Sequence, residues 1–195
     1  MAWGNKLISS VDIRSGTWKT FERLFGGASK GSVAGTGVTV LEGAGKTTFT
    51  FTNVSIPTVD ASTNGAQGSL NFYNFPEGLI DFRAVVSNLT IARVGTNITA
   101  TAAVVGSVGT ATAGVDATLT GTEADLLPST TATLTAGAGA LSGVSATGNA
   151  ALFDGTATAK KAYLNFAIPD AGSAGNDALL VNGTLTIAWN FVADK

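Results

Sequence analysis

The feature that most constrains this chain is a two-residue alternation between apolar and threonine-rich positions. Leu185, Ile187, Trp189 and Phe191 alternate with Thr184, Thr186, Ala188 and Asn190. Phe49 and Phe51 alternate with Thr48, Thr50 and Thr52, and Leu164, Phe166 and Ile168 with Asn165 and Ala167. Successive side chains of a strand point to opposite faces, so these runs predict half-buried strands. The apolar face stabilises by burial, at about 25 cal/mol per Å2. Threonine suits the other face because it favours β structure and tolerates water.

Turn chemistry punctuates the pattern. Asn182-Gly183 lies between Leu179–Val181 and Thr184–Ile187, and both residues accept the positive φ of a type I′ turn, so a hairpin is expected there. Asn64-Gly65 and Asp154-Gly155 mark two further turns. Pro57, Pro76 and Pro169 are expected at the ends of β runs, where a missing N–H is tolerated. Two places have helical character. Trp18, Phe21, Leu24 and Phe25 follow a 3.6-residue period, and Thr122–Leu127 suits a single turn before Pro128. The rest reads as many short strands with Gly-rich turns. The expected fold is all-β, a single β-sandwich or jelly-roll-like domain over 33–195, preceded over 1–32 by an N-terminal arm with a short helix.

Composition narrows the chemistry. The 195 residues include no Cys and no His, which excludes a thiol nucleophile, an imidazole base, a disulfide and zinc ligation of the usual kind. Val94–Val115 and Leu126–Phe153 carry no charge, but Gly, Thr, Ser and Pro128 argue against membrane helices and for weakly polar strands. Residues 84–152 also contain no aromatic side chain. The first ten residues lack the apolar stretch of a secretory signal, so synthesis in the cytosol is expected.

No motif carries catalysis or a cofactor. Gly43-Ala-Gly-Lys46-Thr-Thr48 has the end of a phosphate-binding loop, but Val40 stands where the first glycine belongs and a strand pattern follows, so a Gly-rich β-turn is expected. Glu42, Glu77 and Glu123 are available as acid pairs for glycoside hydrolysis, but they are sparse and sit mostly in turn contexts. No run has the EF-hand spacing, and no metal is expected. Asn53, Asn88, Asn97 and Asn182 match the glycosylation acceptor pattern, which chance explains in a chain this rich in Thr.

Charge is unevenly placed. Residues 1–32 hold five basic and two acidic side chains, a local charge of +3, while the remainder carries six basic and eleven acidic, giving −2 overall. No basic stripe of the kind that binds nucleic acid dominates. The basic, aromatic start has the composition of interface anchors. Trp3, Lys6, Arg14, Trp18, Phe21 and Arg23 are therefore the candidate docking residues. A helix packed onto the β domain is the alternative.

From about Val33 onwards the chain resembles a family of tailed-bacteriophage virion proteins, the capsid decoration or cement proteins. The resemblance is carried by Ser55-Ile-Pro57, Asn64-Gly-Ala-Gln-Gly-Ser69, Asn74-Phe-Pro-Glu-Gly-Leu-Ile80, Gly106-Ser-Val-Gly-Thr-Ala111, Thr118-Leu-Thr-Gly-Thr-Glu-Ala-Asp125, Ala162-Tyr-Leu-Asn-Phe-Ala167 and Val181-Asn-Gly-Thr-Leu-Thr-Ile187. It implies a non-enzymatic β-sandwich, often a homotrimer, assembled in the host cytoplasm onto the capsid exterior, with the major capsid protein as partner. It assigns no residue-level site. A tail-tube or head-fibre subunit, or a carbohydrate-binding surface β module, is the alternative.

Overall fold

The structure, a computed structural model, describes residues 31–33, 35–43, 45–115, 118–145 and 151–193. Of the arm expected over residues 1–32, residues 1–30, with the expected short helix, lie outside the described residues, while Ser32 already belongs to a strand. These hold eleven strands: β1 (Ser32–Val33), β2 (Val38–Gly43), β3 (Lys46–Asp60), β4 (Ala66–Asn74), β5 (Gly78–Arg93), β6 (Ala103–Gly109), β7 (Leu127–Thr133), β8 (Ala138–Val144), β9 (Ala151–Gly155), β10 (Lys161–Ile168) and β11 (Asp177–Ala193). All pairings are antiparallel.

One layer runs β2-β3-β11-β5-β8, with β9 continuing along β5 beyond β8. The other runs β7-β6-β10-β4, with β1 on β4. The layers join where the last residues of β3, Val59 and Asp60, pair with Gln67 and Ala66 of β4. The fold is the expected antiparallel β-sandwich. Among the described residues the helical turns are short 3-10 turns at Ser62–Asn64, Gly121–Glu123 and Asp170–Gly172.

The alternation sorts the two layers as expected. Phe49, Phe51, Leu185, Ile187 and Trp189 are buried, while Thr50, Thr52 and Thr184 are exposed. Aromatic rings from both layers meet edge to face at one side of the core. Phe49 lies 4.8 Å from Phe72 and 5.0 Å from Tyr73, Tyr73 5.1 Å from Phe75, and Phe75 5.3 Å from Trp189. Such contacts add about 0.5–1.5 kcal/mol each beyond area burial.

Within the aromatic-free zone, glycines bring β8 of one layer close to β6 and β7 of the other. A Cβ on Gly106 of β6 would collide with the Leu141 side chain of β8. Gly139 and Gly143 of β8 similarly face Thr133, Thr130 and Leu127 of β7. Here the small residues let the two layers of the same chain close on each other.

Four expectations change in detail. Asn182-Gly183 makes no hairpin, because both residues lie inside the 17-residue strand β11. Long neighbours pair with β11 on both sides of that point, so tertiary pairing overrides the local turn preference. The positive φ of Gly183, 119°, serves a β-bulge instead. Pro57 lies within β3, exposed, where β2 no longer pairs with that strand and one edge is open. Alternation in β10 does not separate core from water, because Asn165 and Ala167 are as buried as Leu164 and Phe166. The turn near Thr122 begins one residue earlier, at Gly121, capped by Thr120 and Glu123. The Gly-rich turn before Lys46 forms as expected, with Gly43 opposite Lys46 and Gly45 at φ 70°.

Candidate functional site

The six candidate docking residues, Trp3, Lys6, Arg14, Trp18, Phe21 and Arg23, lie outside the described residues. What the structure does define is residues 31–33, which follow that segment in the chain. Ser32 and Val33 pair with Asn74 and Tyr73 of β4. The Gly31 N–H donates to the Tyr73 hydroxyl at 2.9 Å. A Cβ at Gly31 would run into the Tyr73 ring and the Asn74 carbonyl, so glycine is required for so close a passage.

Tyr73 in turn ends a chain of hydrogen bonds across the sandwich. Its hydroxyl donates to Glu42 Oε1 at 2.8 Å. Thr47 donates to Glu42 Oε2 at 3.0 Å, and the Trp189 indole N–H donates to Thr47 Oγ1 at 2.9 Å. The polar tips of the buried Tyr and Trp are thereby satisfied, which removes the cost of unpaired buried donors. Burial pushes the Tyr73 phenol well above its ordinary range, and the Glu42 carboxylate adds to that push. The phenol stays neutral and keeps donating.

Three other carboxylates are also committed to the fold. Asp177 accepts the N–H groups of Gly95 at 2.6 Å, Ile98 at 2.9 Å and Ala178 at 2.8 Å, clamping the loop after β5. Burial raises its pKa, but the backbone donors of Ile98, Ala178 and Gly95 prevail and hold it below the ordinary value. Glu123 accepts the Thr120 N–H at 3.0 Å and the Gly114 N–H. Asp125 accepts the Thr110 N–H at 2.8 Å and its hydroxyl at 2.6 Å; burial raises this carboxyl, and Thr110 opposes the rise. Glu77 is exposed between β4 and β5. Of the three acids weighed for sugar hydrolysis, Glu42 and Glu123 therefore act as hydrogen-bond hubs.

Residues 110–115 and 118–125 are held over the outer face of the β10 layer by Asn165. Its amide donates to the carbonyls of Ala111 at 2.9 Å and Glu123 at 2.8 Å, and its Oδ1 accepts from Ser69 at 2.7 Å and Ala113 at 3.2 Å. Sequence reasoning missed Asn165, Tyr73, Thr47 and Asp177 as organisers. Their partners are far away along the chain, up to 142 residues for Trp189 and Thr47. The one available signal was the polar Asn165 between buried apolar neighbours.

No protein-family model matches the chain, and no curated protein does. Among solved structures, the chain is similar to one described as "CBM4 structure and function", with 15% identity and a TM-score of 0.36, over 81% of this chain and 92% of that one. Among the described residues, no helix is long and apolar enough to cross a membrane.

Proposed function

We propose that this protein works by adhesion. It is a structural virion protein that binds the outer surface of an assembled phage capsid and stabilises the shell, with the major capsid protein as its partner. Holding two or more subunits together by buried surface needs a rigid body and docking groups, and no chemical step. The observation that carries the reading is the fixed root at Gly31. The basic, aromatic segment with the candidate docking residues is followed directly by residues 31–33, which the sandwich holds through β1 and Tyr73. The resemblance to decoration proteins supplies the surface on which the segment acts.

The second reading is a carbohydrate-binding surface module. It draws on Tyr163, a half-buried ring on β10. Sugar faces stack on accessible aromatic rings, whereas Tyr73 and Trp189 are inside the core.

Co-sedimentation of the full chain with expanded, empty phage heads separates the two. Saturable binding to heads with no signal on a glycan array supports decoration. Glycan binding that Tyr163→Ala abolishes, with no head binding, supports the second reading.

A further inference from the structure

The two outer faces of the sandwich are treated differently by the fold. Residues 110–115 and 118–125 lie over Asn165 on the face of the β10 layer. Within the described residues, the outward face of the β2-β3-β11-β5-β8 layer carries exposed side chains. Its register places five residues in one row across five strands: Leu41, Thr48, Thr186, Val86 and Val144. Leu41 is 74% exposed, Val86 47% and Val144 69%. Val86 and Val144 stand directly opposite each other, and the hydroxyls of Thr48 and Thr186 are 3.0 Å apart. The next row is Thr39, Thr50, Thr184, Asn88 and Ser142. Two more rows towards the start of β11 hold Asn, Thr, Ala, Ser and Leu, so four successive rows carry no charge.

We infer that this face binds a second copy of the same chain, layer against layer. Three properties of the face select that occupant. First, a hydroxyl both donates and accepts, so a threonine array is complementary to itself. Second, with no charge in four rows, like meets like without the repulsion that normally penalises self-contact. Third, the size fits. Strands about 4.8 Å apart and residues rising about 3.4 Å each give two rows of five strands and two of four a footprint of roughly 600 Å2. Side-chain relief brings that to the order of the ~800 Å2 per partner of a stable pair. The exposed Leu41, Val86 and Val144 supply apolar area at both ends of the row. A patch that binds itself closes as a two-fold pair. That subunit count differs from the threefold assembly implied by the resemblance to decoration proteins. The inference does not rest on capsid docking.

Sedimentation equilibrium of the full chain tests it. The wild type is expected at twice the chain mass. The double variant Val86→Lys with Val144→Lys is expected at the chain mass, with an unchanged far-UV spectrum and cooperative melting. Val115→Lys, an exposed valine in the segment covering the other layer, is expected to leave the dimer intact. A monomeric wild type, a trimer, or a dimer that survives the double substitution overturns the proposal. If the double variant does not fold, the milder Thr184→Lys takes its place, with the same expected halving of mass.

Discussion

Asn182 and Asn53 are tied across the sheet by one hydrogen bond, from the Asn53 N–H to Asn182 Oδ1 at 2.8 Å. The bond sits where Thr52 and Asn53 of β3 share the space opposite Asn182 of β11. Asn53 has φ 50° and Gly183 φ 119°, so both strands leave the extended region at one level. A Cβ on Gly183 would strike the Asn88 carbonyl oxygen. Gly183→Ala is therefore expected to destabilise by about 1–3 kcal/mol, the cost of a forced backbone conformation, with the collision adding to it. Urea unfolding measures this, and an unchanged midpoint contradicts the assignment.

Trp189 is 4% exposed and donates to Thr47. Trp189→Ala is expected to cost about 3–5 kcal/mol as a core aromatic. Thr47→Val leaves the indole donor unpaired and is expected to cost about 1–3 kcal/mol. Chemical denaturation followed by far-UV circular dichroism reads both. A marginal loss in Trp189→Ala would place its ring outside the core.

Gly106 and Leu141 form an interlocking pair between the two layers of the sandwich. Gly106→Ala is expected to cost about 1–3 kcal/mol by overpacking. Leu141→Ala alone is expected to cost about 2–5 kcal/mol. The double variant should cost clearly less than the two single losses together, because the added methyl enters the space that leucine vacated. Additive losses would show that the two residues do not share that space.

The loop after β5 should open in acid. The backbone donors hold Asp177 below its ordinary value of 3.8, so its stabilising contribution is present above that pH. It is lost as the pH falls through the native value. Amide exchange at Gly95 and Ile98 is expected to lose protection in that acid window while the β11 amides remain protected. Asp177→Ala, which removes both acceptor oxygens, should open the same amides already at neutral pH. Equal protection of Gly95 and Ile98 in wild type and variant would remove Asp177 as the clamp.

Much of the sandwich was legible in the alternation itself. Phe49, Phe51, Leu185, Ile187 and Trp189 all turned inward, because a strand with one wet face writes its orientation into every second residue. Asn182-Gly183 misled because turn preference is local, whereas β3 and β5 pair with β11 along both halves. The buried face of β10 was illegible for a similar reason. Asn165 looks like a wet-face residue until the backbone at Ala111, Ala113 and Glu123 folds over it. The role of Glu42 depends on Tyr73, 31 positions away, and no local pattern links the two. The gap at Gly106 is filled by Leu141, and sequence spacing does not relate them.

The central claim is a rigid sandwich that carries a docking segment. Removing residues 1–30 tests it most directly, since Gly31 and Ser32 already belong to the contacts with β4. The shortened chain is expected to melt cooperatively, close to the full chain, and to lose co-sedimentation with expanded empty heads. Undiminished head binding by the shortened chain, or its failure to fold, would contradict the account.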